Sequence, residues 1–182
     1  MKKIIHKWIW AWDFDKEEQW LNEMAAKGLA LHSVGFCRYE FTPCQPGEYN
    51  IRLELLENMP NHPESQQYIA FMEESGIEQI GSYYRWIYFR KKNDGIAFDL
   101  FSDYDSRIKH LNRILLFIGI PFGINIYNAF FQFYFAVSGA GIAAVNASTG
   151  AFVSLLNLLL GYGFFKILIK KRILLKERQI FE

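Results

Sequence analysis

Apolar residues recur with two different periods along the first hundred residues. Segments in which every second residue is apolar have the period of a β-strand, and segments with apolar residues three and four positions apart have that of an amphipathic helix. Asp15 before the first helical segment and Gly28 after it are typical of a helix N-cap and a helix end. The pattern predicts strands at residues 2–12, 29–41, 49–57 and 77–91, and helices at residues 16–28 and 63–76.

The two halves of this region repeat with an offset of 48 residues. Met24 aligns with Met72, and Gly28 aligns with Gly76. Similarity at a fixed offset indicates a duplicated unit, here β-α-β. The order β-α-β-β-α-β predicts an α+β, ferredoxin-like domain in residues 1–101, with a four-stranded antiparallel sheet and both helices on one face.

Aromatic residues are too numerous for a sheet that is covered on one face only, because the strand at residues 77–91 is aromatic on both faces. We expect the additional aromatic face to be covered by residues 97–104 or by a second copy of the domain. Otherwise it forms a ligand or partner surface, since large exposed apolar patches mark interaction sites. The candidate interaction surface comprises Trp8, Trp10, Trp12, Tyr84, Trp86 and Tyr88.

Residues 114–165 are 52 consecutive residues without a charged side chain. This stretch is about twice the ~20 residues that span a bilayer as a helix. It predicts two transmembrane helices in residues 114–169, at about residues 111–137 and 151–169. Asn125, Asn128 and Gln132 in the first span are expected to contact a helix partner, because unpaired amides are costly in lipid.

Basic residues flank both spans and are absent from the loop between them. Because basic flanks stay on the cytoplasmic side, we expect both termini in the cytoplasm, a multi-pass protein in the cytoplasmic (inner) membrane, and a basic cytoplasmic tail at residues 170–182. The N-terminal apolar run has no small-residue cleavage site, so a cleaved signal peptide is not predicted.

Residues 102–113 are predicted to form a helical joint between the domain and the first span. Ser102 or Asp103 is suited to capping this helix, and such a joint would transmit a change in the domain to the spans. The candidate joint residues are Asp103, Ser106 and Arg107.

The sequence contains no motif for catalysis, cofactor binding or metal binding. Cys37 and Cys44 are seven residues apart without a C-x-x-C spacing, and the four histidines are scattered over separate elements. Residues 1–113 hold 14 basic and 17 acidic residues, a net charge of −3, which argues against nucleic acid. We therefore expect reduced thiols, no enzyme activity, no cofactor, no metal and no nucleic-acid partner.

Six short motifs lie between about residues 8 and 113: W-x-W (Trp8, Trp10), KEEQWLNEMAAKG (16–28), P-G-E-Y (46–49), E-E-x-G (73–76), W-x-Y-F-R-K (86–91) and S-D-x-x-S-R-I (102–108). Together they resemble an uncharacterised family of small bacterial membrane proteins with a DUF2812-type domain. Members are often encoded beside PadR-like transcriptional regulators, so the resemblance implies a regulated, membrane-associated role and supplies no catalytic residues. Leu29 departs from the family, which usually has Trp there.

These observations predict a non-enzymatic integral membrane protein that is held in the lipid bilayer. Its cytoplasmic domain would bind a partner protein or small ligand and regulate or signal to a membrane complex, as a homo-oligomer or with another membrane protein. The alternative is a small oligomeric transporter or permeabilising protein, in which Asn125, Asn128 and Gln132 line a polar path. The lack of an intramembrane acid argues against proton coupling in that alternative.

Overall fold

The structure is a computed structural model that describes residues 2–101, 103–139 and 142–181. The chain divides into two compact units, at residues 1–110 and 111–182. The first unit is a mixed α+β domain and the second consists of long apolar helices, as the sequence predicts at this level of detail. The elements are β1 (Lys3–His6), a 3-10 helix (Ala11–Asp13), α1 (Phe14–Ala26), β2 (Leu29–Gly35), β3 (Arg38–Pro43), β4 (Tyr49–Leu55), α2 (Pro63–Glu74), β5 (Glu78–Tyr83), β6 (Trp86–Lys92), α3 (Tyr104–Ser138) and α4 (Ala143–Phe181).

The duplication is visible in the fold as two β-α-β-β units. Each unit forms an antiparallel three-stranded sheet with its last strand in the middle, in the orders β1-β3-β2 and β4-β6-β5. The second strand of each unit has an irregularity at the equivalent place, between Leu31 and Ser33 in β2 and between Gln79 and Gly81 in β5. The repeat of 48 residues is therefore structural, but its unit is β-α-β-β.

The predicted four-stranded ferredoxin-like sheet is not confirmed. Residues 29–41 and 77–91, each predicted to be one strand, are two hairpins that turn at residues 36–37 and 84–85. Neither turn has the Asn-Gly or Asp-Gly sequence that identifies a tight hairpin. The reversal instead uses positive φ angles at Cys37 (52°) and Tyr84 (56°), which the hydrophobic pattern does not reveal.

The predicted first strand is also too long. β1 ends at His6, and Trp12 lies in the 3-10 helix that precedes α1. Trp8, Trp10 and Trp12 therefore do not share one face of a strand.

Helix α1 packs against both sheets. Trp20 lies edge-on to Tyr39 and Phe41 of β3, and Phe14 contacts Trp86 of β6. Leu21 is fully buried. Because α1 uses aromatic residues from both repeats, neither repeat has a complete core of its own.

Helix α2 packs on the opposite side of β6. A second core contains Ile69 and Met72 of α2 together with Ile87 and Phe89 of β6. Phe98 joins this core on the side of β6 that α2 covers. Both aromatic faces of β6 are thus used.

The second unit contains the apolar parts of α3 and α4, which contact each other in antiparallel order between residues 119–133 and 150–164. A Cβ atom at Gly119 would lie 3.1 Å from Phe164, and one at Gly161 would lie 3.2 Å from Phe122. Nearer the loop, a Cβ at Gly150 would lie 3.3 Å from Phe133. The glycines make room for the phenylalanine rings of the facing helix, as small residues do where apolar helices pack closely.

Both helices are long and apolar enough to cross a membrane. The rest of the chain buries only 17% of the most apolar window of α3 and 22% of that of α4. They extend beyond the predicted spans because the polar flanking segments are helical too, including the predicted joint, which continues into the apolar part of α3.

Candidate interaction surface and helical joint

Four aromatic side chains form a continuous exposed row on the first unit, which we call the aromatic patch. The ring centroid of Trp8 lies 5.1 Å from that of Trp10 and 5.6 Å from that of Phe36, and the ring centroids of Phe36 and Tyr83 are 5.8 Å apart. Trp8 is 56% exposed and Phe36 is 63% exposed. The patch therefore presents large apolar rings to the surroundings instead of to a core.

Three elements position the patch. The segment after β1 is held by a hydrogen bond from the Lys7 N–H to the Cys37 carbonyl (3.0 Å), and Trp10 stacks on the buried Trp12 at 4.9 Å. Phe36 lies in the β2–β3 turn. Tyr83 comes close because β5 lies beside β2, where a Cβ at Gly81 would be 3.4 Å from Val34.

The structure divides the six predicted surface residues into two groups. Trp8, Trp10 and Tyr84 are exposed. Trp12, Trp86 and Tyr88 are buried, because α1 covers the face of β6 that the sequence left open.

Phe36 and Tyr83 are members of the patch that the sequence reasoning missed. A signal was present, since Phe36 and Tyr84 are equivalent positions of the repeat and both lie in tight turns. A large aromatic residue in a turn cannot easily reach a core.

The surroundings of the patch are basic. Residues 2–10 contain three lysines and no acid, residues 33–40 contain Arg38 and Glu40, and residues 81–86 contain Arg85, which gives a net charge of +4. Glu40 is paired with Lys2 (3.7 Å) and Arg38 (2.5 Å). The three segments that carry the patch are thus positive, although residues 1–113 as a whole have a net charge of −3.

A buried carboxylate connects the two sheets through α1. Glu17 accepts hydrogen bonds from the hydroxyls of Tyr39 (2.8 Å) and Tyr88 (2.6 Å). Burial raises the pKa of Glu17, and burial together with the adjacent Glu17 raises the pKa of both tyrosines. The two hydroxyl donors explain how this carboxyl group is accommodated in the core. Glu17 thus links β3 of the first sheet to β6 of the second.

Side chains close the outer edge of β4. Its alternate N–H groups donate to three acceptors: Ile51 to Oδ1 of Asn22 (2.8 Å), Leu53 to Oε2 of Glu18 (3.2 Å) and Leu55 to Nε2 of His110 (3.0 Å). Unpaired edges of this kind otherwise attract other strands. His110 lies near the start of α3, so the part of this helix that belongs to the first unit is attached to the sheet.

The predicted joint residues come together at the start of α3. Oδ1 of Asp103 accepts from the Ser106 N–H (2.6 Å), and this bond lowers the pKa of the Asp103 carboxyl. Arg107 forms an ion pair with Asp99. Asp103 therefore caps α3, while Ser102, the alternative cap, lies outside the described residues.

The three predicted intramembrane amides are placed differently from one another. Asn125 donates to the Pro121 carbonyl of its own helix (2.8 Å), and Gln132 donates to Oδ1 of Asn128 (3.4 Å). Gln132 also faces α4, since its Cβ lies 3.3 Å from the Cβ position of Gly150. Asn128 is exposed.

Among the residues that the structure describes, no group of three or more His, Cys, Asp or Glu side chains is arranged to hold a metal ion. Cys37 and Cys44 are free thiols, and burial raises the pKa of the Cys44 thiol, which disfavours the reactive thiolate.

The fold thus defines a class of protein: a duplicated β-α-β-β domain followed by two long apolar helices. The chain belongs to the DUF2812 family, a family of proteins of unknown function, whose sequence profile matches residues 13–122. The match begins at α1 and continues into the apolar part of α3, so the family region crosses the boundary between the two units. Comparison with curated proteins and with solved structures found no similar protein.

Proposed function

We propose that this protein is a non-enzymatic integral membrane protein whose domain in residues 1–110 lies in the cytoplasm, binds a partner protein through the aromatic patch and thereby regulates a membrane complex. The aromatic patch is the observation that carries the proposal. Exposed Trp and Tyr side chains are typical of the residues that dominate binding energy at protein interfaces.

The charge pattern supports the membrane part of the proposal. All charged residues of the region 111–182 lie at its two ends, at Arg113 and in residues 166–182. In an antiparallel helix pair both ends are on the same side, and basic flanks favour the cytoplasmic side. The basic tail would then lie near anionic headgroups.

The joint supports the regulatory part. α3 is one continuous helix that begins beside Asp103, carries the sheet-bound His110 and continues through the apolar region. A partner that favours one arrangement of the sheet domain would shift the position of this helix. The association of relatives with PadR-like regulators, as the resemblance implies, suits a regulated role.

The transporter alternative has less support. Asn125 and Gln132 donate along their own helix, so their hydrogen-bonding capacity is already partly used without a polar path between protomers. Assembly into homo-oligomers is compatible with either function.

The test is a crosslinking and affinity purification of the full-length protein from native membranes. The variant Phe36→Ser, combined with Trp8→Ser, removes two rings of the patch. Phe71→Ser is the matched control, since Phe71 on α2 is 62% exposed and Phe36 is 63% exposed. We expect a specific partner with the wild type and the control and its loss from the patch variant.

Capture that is unchanged in the patch variant would contradict the proposal. Self-association as the sole product in all three samples, together with ion or solute flux that is lost on replacing the three amides by Leu, would favour the transporter.

A further inference from the structure

We propose that the outer edge of β1, together with the aromatic patch, binds an extended acidic segment of a partner protein as an added β-strand. This inference rests on the proposed function and specifies the chemistry of its partner. It combines three properties of one region: a free strand edge, a positive charge and a row of exposed rings.

The edge of β1 is open where the equivalent edge of β4 is closed. In the order β1-β3-β2, β1 is an outer strand, and no strand or side chain of the described residues 2–101, 103–139 and 142–181 is bonded to its outer side. The Lys7 N–H bonds inward to Cys37, so by alternation the backbone groups of Ile4 and His6 point outward. Strand addition needs an edge of this kind.

The charge around the edge selects an acidic occupant. Lys3 on β1 and Lys2 directly before it are both exposed, within the region of net charge +4. A second copy of β1 would bring like charges opposite each other, which destabilises a strand pair. The basic C-terminal tail of this chain is unsuitable for the same reason, and a lipid surface lacks the regularly spaced N–H and C=O groups that continue a strand ladder.

The aromatic patch gives the site its second contact. The chain continues from β1 directly to Trp8 and Trp10, and Phe36 lies against Trp8. A segment that pairs with β1 and extends past His6 would place its next side chains at these rings. Main-chain bonds would supply affinity, and the rings would select an apolar or aromatic anchor.

The binding test uses the full-length protein in nanodiscs of neutral phosphatidylcholine. The probe is a fluorescent peptide of about eight residues in which Glu alternates with Val and Phe. One comparison peptide has Lys in place of Glu, and another has the Glu sequence with alternate amides N-methylated. We expect the acidic peptide to bind about tenfold more tightly than the Lys peptide, and N-methylation to abolish binding, because it removes the donors of an added strand.

The protein variants Lys2→Glu and Lys3→Glu, made together, should weaken binding of the acidic peptide by about tenfold. Lys27→Glu with Lys92→Glu is the matched control, since both lysines are exposed, both lie in the same domain and the change in charge is equal. The control should bind like the wild type. Tryptophan fluorescence confirms that each variant is folded.

Three results would overturn the inference: no binding of the acidic peptide, equal binding of the acidic and Lys peptides, or undiminished binding of the N-methylated peptide. A fourth such result would be that the acidic peptide does not bind and that brominated anionic lipids quench the fluorescence of Trp8 and Trp10. This result would assign the patch to the membrane surface. Loss of the native partner from the variant with Trp8→Ser and Phe36→Ser, with no acidic-peptide binding by the wild type, would leave the proposed function intact and reject only this inference.

Discussion

The backbone N–H of Leu55 donates a hydrogen bond to Nε2 of His110 over 3.0 Å, which joins the end of β4 to helix α3. His110 is only 2% exposed and lies against the rings of Phe14 (5.3 Å) and Phe101 (4.9 Å). Because Nε2 accepts this bond, the neutral imidazole carries its proton on Nδ1. The histidine therefore attaches the first residues of α3, which belong to the first unit, to the end of β4.

His110→Ala should destabilise the first unit by about 3 kcal/mol, because it leaves the Leu55 N–H buried without an acceptor and opens a cavity among aromatic rings. Denaturant unfolding followed by tryptophan fluorescence measures this, since all five tryptophans lie in residues 8–86. His32→Ala is the control, because His32 is exposed. Equal midpoints for the two variants would show that the bond is unimportant.

The stability of the first unit should decrease between pH 5 and pH 8. Burial raises the pKa of Glu18 from its ordinary value of 4.5 to about 7, despite the ion pair with Arg52. The folded state thus holds this proton more tightly than the unfolded state, so its contribution is complete below about pH 4.5 and is lost as the pH rises through about 7. The raised pKa of Glu17 acts in the same direction.

Glu18→Gln tests this prediction, because an amide does not titrate. We expect the free energy of unfolding of the wild type to fall by about 3 kcal/mol across this range, and the variant to show a shallower dependence. The same slope in both proteins would exclude Glu18 as its source.

An engineered disulfide should form between the two apolar helices. In a chain with Cys37 and Cys44 replaced by Ser, Gln132→Cys and Gly150→Cys would place two Cβ atoms 3.3 Å apart, close to the separation that a disulfide requires. Oxidation should give an intramolecular crosslink, seen as a shift in electrophoretic mobility under non-reducing conditions.

The control for this crosslink pairs Gly123→Cys with Gly150→Cys, because a Cβ at Gly123 has no neighbour within 4 Å. Crosslinking that is equally fast in both pairs, or absent from the first, would contradict the antiparallel contact of α3 and α4.

Single cysteines should report the membrane orientation. In the same cysteine-free background, a membrane-impermeant maleimide should label Ser138→Cys on intact cells, and should label Arg172→Cys only after permeabilisation. The physical reason is the accumulation of basic residues at the ends of the helices away from the loop. The reverse labelling pattern would place the sheet domain outside the cell.

Local patterns were sufficient to predict much of the secondary structure. The helices α1 and α2 and the 48-residue repeat follow from periodicity, capping residues and internal alignment. The same holds for two long apolar helices, because a stretch of 52 uncharged residues has few other stable arrangements. The cap at Asp103 was also predictable, since capping involves residues that are close in sequence.

The tight turns and the grouping of the strands into sheets could not be predicted from the sequence pattern. Phe36-Cys37 and Tyr84-Arg85 contain no residue that is typical of a tight turn, so the pattern predicts one long strand in place of each hairpin. That error changed the predicted sheet from two groups of three strands to one group of four.

A duplicated α+β region followed by two apolar helices can be predicted from the sequence, because those features depend on neighbours within a few residues. Which aromatic residues are exposed depends on how the helices and sheets pack. α1 crosses to the other repeat and buries Trp86 and Tyr88, while Trp8 and Phe36 are left on the surface. Burial depends on contacts between residues that are far apart in sequence, such as Glu17 and Tyr88, and periodicity along the chain contains no information about such partners.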